Sequence, residues 1–132
     1  MFSHNSLQAI FLRTEGHCHF CGDPVILEKY GCSDINDVEG AWEADHVVQR
    51  AKGGKKEAEN CLPACVRCNR LRWNRKGDNL REVLLLGLIA KDQMKKSSPI
   101  GKTLSGLMMK RLASNERRRR KPLHTDSFPL PS

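Results

Sequence analysis

The stretch NCLPACVRCNRLR, residues 60–72, places a C-x-x-C pair, Cys65 and Cys68, directly ahead of an arginine-rich run. A second pair, Cys18 and Cys21 in CHFCGD (residues 18–23), stands upstream, with 43 residues between the two. Each pair lets one tight turn offer two sulfurs to one ion. Two pairs supply the four thiolates of a tetrahedral structural Zn²⁺. Such a site clips together the ends of the intervening segment. That matters in a chain whose aromatic content is only 5%, because a thin core gains most from a metal staple. A redox reading needs one pair in a βαβ setting, and no such pattern is present. His17, His19 or Cys61 in place of one ligand is a less economical alternative. Cys32 and Cys61 read as a loop thiol and a small buried apolar residue. Four thiolates fill the zinc, so this ion has no open position for catalysis.

Working outward, Asn5 to Thr14 predicts a short helix with Leu7, Ile10 and Phe11 on one face, ended by Gly16. Residues 31–40 (GCSDINDVEG) read as an acidic loop. Trp42 to Val48 predicts a strand burying Trp42 and Ala44, with Val47 a further candidate. Gly53-Gly54 predicts a turn. A helix is expected from Asn69 to about Asn74, with Gly77 breaking it. Asp78 can cap a second helix carrying Leu80, Val83, Leu84, Leu86, Leu88 and Ile89. After Ser97-Ser98-Pro99 comes a third, with Leu104, Leu107, Met108, Arg111 and Leu112 at helical spacing. Both late helices are expected to cover the core or each other.

Between the cysteine pairs, Asp45 and His46 are adjacent, and Asn60 and Asn69 flank the second pair. Neighbours on a strand point to opposite faces, so Asp45 and His46 share one site only if the strand ends or bends there. Taken singly, Asn60 and Asn69 are the residue types of turns and N-caps, and Asn69 sits where a cap belongs.

As a series, these residues resemble the HNH endonucleases, whose fold is the ββα-metal motif. Cys18-x2-Cys21-Gly22 resembles the first knuckle, Asp45-His46 the family's dipeptide and Gly53-Gly54 its hairpin loop. Asn60 resembles the middle Asn, and Pro63 to Arg72 the second knuckle entering its helix. The likeness spans roughly residues 7–76. It implies an α+β fold: a small ββα-metal core stapled by a four-cysteine zinc site, with additional C-terminal helices. It also implies that Asp45 and Asn69 hold a catalytic divalent ion, that His46 is the general base and that Asn60 orients it. Asn69 stands where the family often has His, an H-N-N variant. Its amide oxygen is a hard ligand, which favours Mg²⁺ or Mn²⁺. The family's common Pro after the His is here Gln49. Histidine as a residue type suits proton transfer near neutrality. Arg67, Arg70, Arg72 and Arg75 are candidates to grip phosphates.

The net charge of +8 lies entirely in residues 91–132, where 11 Lys and Arg face 3 Asp and Glu. Such asymmetry suggests a polyanion partner. Arg117, Arg118, Arg119, Arg120 and Lys121 form a basic block suited to phosphates without base recognition. The expected organisation is a nuclease core at 1–76, a helical extension at 77–116 and a basic disordered tail at 117–132. No apolar run is long enough for a membrane span, and the N-terminus does not read as a signal peptide. The expectation is an intracellular protein, cytoplasmic, or nucleoid-associated if prokaryotic, and the expected partner is double-stranded DNA. It would act as a monomer or homodimer. The competing reading is a catalytically inactive zinc-ribbon nucleic-acid-binding module, which has no need of the Asp45/His46/Asn60/Asn69 set.

Overall fold

Two short strands and the helix that follows them form the centre of the molecule. The computed structural model describes residues 2–32, 38–47, 58–73 and 77–120. The Gly53-Gly54 turn, Gln49, Arg75, Lys121 and the rest of the tail lie outside the described residues. Strand β1 (Trp42–His46) pairs antiparallel with β2 (Cys61–Cys65), so Trp42 faces Cys65 and His46 faces Cys61. Helix α1 (His4–Leu12) is capped by Ser3, whose hydroxyl accepts the Ser6 N–H. It ends two residues earlier than expected. Gly16, in left-handed backbone, returns its N–H to the Phe11 carbonyl at 2.9 Å, which satisfies a carbonyl the helix leaves open.

The core lies between α1 and the sheet. Trp42 is fully buried and packs with Ile10, Cys18, Val25, Cys61 and Ala64. Tyr30 meets its ring edge-on at 4.9 Å, and its indole N–H donates to the Ile26 carbonyl at 2.9 Å. A buried indole needs that partner. Val47 is exposed, because the strand stops at His46 instead of Val48.

Helix α2 (Val66–Trp73) starts three residues before the expected Asn69. The reason is a sulfur cap. Cys65 closes β2, and its Sγ accepts the Cys68 N–H at 3.5 Å, the bond an N-cap oxygen normally takes. The second knuckle is therefore the first turn of the helix, and Asn69 is an interior residue, not a cap.

Helices α3 (Gly77–Lys95) and α4 (Pro99–Arg120) pair as a hairpin. Pro99 opens α4 behind Ser98, whose hydroxyl accepts the Gly101 N–H at 3.1 Å. Arg117–Arg120 belong to α4 and not to an unstructured tail. The apolar residues Leu84, Leu85, Leu88, Leu107 and Met109 are exposed, so these helices do not lay an apolar stripe over the core. The far half of α4 docks on the first knuckle through polar groups one turn apart. Arg111 donates to the Cys21 carbonyl (2.8 Å) and Asn115 to the Phe20 carbonyl (2.9 Å), and Arg119 donates to that of His19. Gly22 makes this approach possible. Its φ is 85°, and a Cβ there would lie 2.4 Å from Asn115 Oδ1. We expect Gly22→Ala to destabilise the protein by about 1–3 kcal/mol, read as a lowered midpoint in thermal melting.

Candidate active site and metal centre

The two knuckles meet in space. The ligand atoms of Cys18, Cys21, Cys65 and Cys68 all lie within 4.8 Å of one another, with Cys21 and Cys65 Sγ 3.9 Å apart. Zn–S bonds of about 2.3 Å in a tetrahedron put sulfurs about 3.8 Å apart, so this cluster can hold one metal ion such as zinc. Backbone amides support the sulfurs: Phe20 N–H donates to Cys18 and Asp23 N–H to Cys21, each at 3.4 Å. The thiols also perturb one another. Contacts from Cys21, Cys65 and Cys68 hold Cys18 well below the usual thiol range. Cys18 pushes Cys21 up, but Cys65 and Cys68 outweigh it and bring Cys21 to about 7. Cys65 and Cys68 are pushed up, Cys65 by Cys18 and Cys21, Cys68 by Cys18, Cys21 and Cys65. Four sulfurs this close cannot all ionise by themselves. A divalent cation is what lets them do so.

A second constellation lies where β1 meets α2 and the first knuckle. Asp45 is 1% exposed. Its Oδ2 is 2.8 Å from His19 Nε2 and is also paired with the Arg72 guanidinium. Arg72 in turn rests over the Phe20 ring, 5.7 Å from its centroid. Two residues earlier on the same strand face, Glu43 Oε1 accepts from Asn69 Nδ2 at 3.2 Å. Asn69 Oδ1 is then buried without a hydrogen-bond partner among the described residues. An orphaned buried amide oxygen fits a hard divalent cation, since buried acceptors otherwise find donors.

His46 takes the other direction. It is the last residue of β1, and its ring lies 6.4 Å from that of Phe2. Its Nε2 is buried with no partner among the described residues. The adjacent Val47 N–H donates to the Asn60 carbonyl at 2.8 Å, which carries the ladder one step past the strand. Asn60 is itself buried in a 3-10 turn over Ala58–Asn60. The carbonyls on either side of it, Glu59 and Cys61, both accept from the buried Arg13 guanidinium, at 2.8 and 2.9 Å.

Helix α2 thus meets Asp45 through Arg72 and Glu43 through Asn69, with His46 and Asn60 at the adjoining strand end. The candidate phosphate contacts are scattered. Arg67 is exposed and pairs with Asp23 at 3.3 Å, Arg70 and Arg117 are exposed, and Arg72 turns inward. Arg119 is tied to the knuckle, and Arg118 reaches Asn115. Sequence reasoning missed His19 as a partner of Asp45, Arg13 as the brace of Asn60, and the α4 clamp. An α4 stripe of Arg111, Asn115 and Arg119 at four-residue spacing was the one visible signal.

A two-stranded antiparallel sheet running straight into a helix, with a four-cysteine cluster at that junction, is the ββα-metal arrangement within an α+β chain. Residues 18–75 match the family model of the HNH endonucleases. Neither the curated proteins nor the solved structures yielded a match. That match points to nuclease-type chemistry on nucleic acid. No helix among the described residues is long and apolar enough to cross a membrane.

Proposed function

We propose that the chain is a divalent-metal-dependent DNA endonuclease that hydrolyses phosphodiester bonds, with Zn²⁺ on Cys18, Cys21, Cys65 and Cys68 as a structural ion. The observation that carries this reading is Asn69. Its amide nitrogen is engaged by Glu43, and its buried oxygen has no hydrogen-bond partner among the described residues, one helical turn from Arg72, which pairs with Asp45. Asp45 and Asn69 would hold Mg²⁺ or Mn²⁺, which when bound polarises the phosphoryl group and stabilises the leaving oxygen. His46 accepts a proton through Nε2 as the water oxygen bonds to phosphorus, and the bond to the leaving oxygen breaks with its electron pair. Asn60, braced by Arg13, fixes the backbone one residue past His46. Arg67, Arg70 and Arg117 are exposed to meet the phosphates of double-stranded DNA. Arg72 pairs with Asp45 here and would pass to a phosphate once that carboxylate is otherwise neutralised. Arg75, Arg118, Arg119, Arg120 and Lys121 add positive potential nearby in sequence.

One observation favours a second reading. The Asp45 carboxylate is engaged by Arg72 and His19, and His46 points to the other strand face. A module that binds nucleic acid without cutting it would tolerate both. A plasmid assay separates the readings. We expect supercoiled DNA to be nicked with Mg²⁺ or Mn²⁺ and left intact in EDTA. Binding in EDTA with no cleavage under any metal would instead identify a binding module.

A further inference from the structure

We infer that His19 is a positioning residue for Asp45, and that through it the cysteine knuckle sets the geometry of the catalytic-ion site. The inference rests on the proposal that Asp45 is an ion ligand. His19 occupies the first spacer position of the C-x-x-C turn, between Cys18 and Cys21. Its ring is not part of the cysteine cluster. It points to the sheet and places Nε2 2.8 Å from Asp45 Oδ2, with both residues more than nine-tenths buried.

The backbone of His19 is pinned at both ends. Its N–H donates to the Pro63 carbonyl of β2 at 2.9 Å, and its carbonyl accepts from Arg119 of α4. The Phe20 ring lies 4.0 Å from the imidazole, and the Arg72 guanidinium rests over that same ring. The knuckle turn is closed by the Gly22 N–H to Cys18 carbonyl bond, 2.9 Å. Little is left for the imidazole to do but hold Asp45. A carboxylate that ligates an ion works best when a second partner fixes its rotation, and removing such a partner typically costs about 10–100-fold in metal affinity. Here the partner is carried by the structural metal turn itself. Order in the Cys18–Cys21 turn is thereby converted into the orientation of one carboxylate 26 residues away.

The test is Mn²⁺ affinity of the full, zinc-loaded chain, read from the electron paramagnetic resonance signal of free Mn²⁺. Four proteins are compared: wild type, Asp45→Asn, His19→Leu and His19→Gln. The Gln amide nitrogen reaches the place of Nε2, so it can still donate to Asp45. We expect His19→Leu to bind Mn²⁺ at least about tenfold more weakly, with zinc content unchanged, and His19→Gln to restore affinity. Wild-type affinity in His19→Leu, alongside weakened binding in Asp45→Asn, overturns the role of His19 and leaves Asp45 as a ligand. Undiminished binding by Asp45→Asn overturns both. Should His19→Leu lose its zinc, the comparison passes to His19→Gln against His19→Asn, whose shorter amide cannot reach Asp45. Equal Mn²⁺ affinity in those two would refute the inference.

Discussion

Cys65→Ser is expected to abolish cooperative folding of the strand–knuckle core, and chelation of the metal from the wild-type chain to do the same. The serine variant is the informative one. Ser is a good N-cap, so its hydroxyl can replace the sulfur that caps α2, and the loss reports the metal ligand rather than the helix cap. The core that remains is small. Two five-residue strands form the sheet, and a hairpin of two strands is marginal without support. A structural zinc contributes about 10–16 kcal/mol in small zinc-finger peptides, against a total stability of about 5–15 kcal/mol for an ordinary domain. A metal contribution of that size is comparable with the whole net stability of an ordinary domain. Circular dichroism melts with and without chelator give the comparison. The helical signal of α3 and α4 should persist in part, because among the described residues α4 meets the core through polar side chains such as Arg111, Asn115 and Arg119. Thiol labelling gives a second readout. Burial pushes Cys61 up to about 12, so at neutral pH it should resist labelling in the metal-loaded protein and react once the core opens. A Cys65→Ser variant that melts cooperatively at the wild-type temperature would show that the cluster is no staple.

The cysteine spacing made the knuckles legible because metal ligands must arrive in fixed pairs, and Trp42 marked the buried strand. What stayed hidden has physical reasons. Rules for helix starts name oxygen acceptors, so a sulfur cap at Cys65 was invisible, and Asn69 looked like the cap. The His19–Asp45 and Arg72–Asp45 contacts join residues 26 and 27 positions apart, and no local spacing encodes such pairs. Arg119 looked like part of a phosphate-binding block because charge does not reveal its partner, which is the His19 carbonyl. The apolar residues of α3 were readable as helical but not as exposed. Periodicity tells which residues share a face, not what that face meets.

His46→Ala is expected to lower nicking by about 10²–10⁴-fold, the usual worth of a positioned general base. Zinc content, melting and DNA binding should stay near those of the wild type. The separation is sharp because of where the ring sits. Its Nε2 makes no hydrogen bond among the described residues, and its backbone pairing with Cys61 survives truncation. Alanine therefore removes a proton acceptor and little else, at a stability cost of about 1 kcal/mol. Asp45→Asn makes a contrasting control. It would strip charge from a carboxylate held by both Arg72 and His19, so its loss of activity would come with lost stability and weakened ion binding. His46→Ala should show the activity loss alone, and added Mn²⁺ should not rescue it. The geometry gives this contrast its force, since Asp45 and His46 leave the strand on opposite faces. If both residues act on one phosphate, the backbone past His46 must bring its ring round the strand end, where Asn60 and Arg13 hold the turn. Equal cleavage by His46→Ala and wild type would mean that the ring stays on the Phe2 side and that water activation, if it occurs, belongs to the Asp45 face.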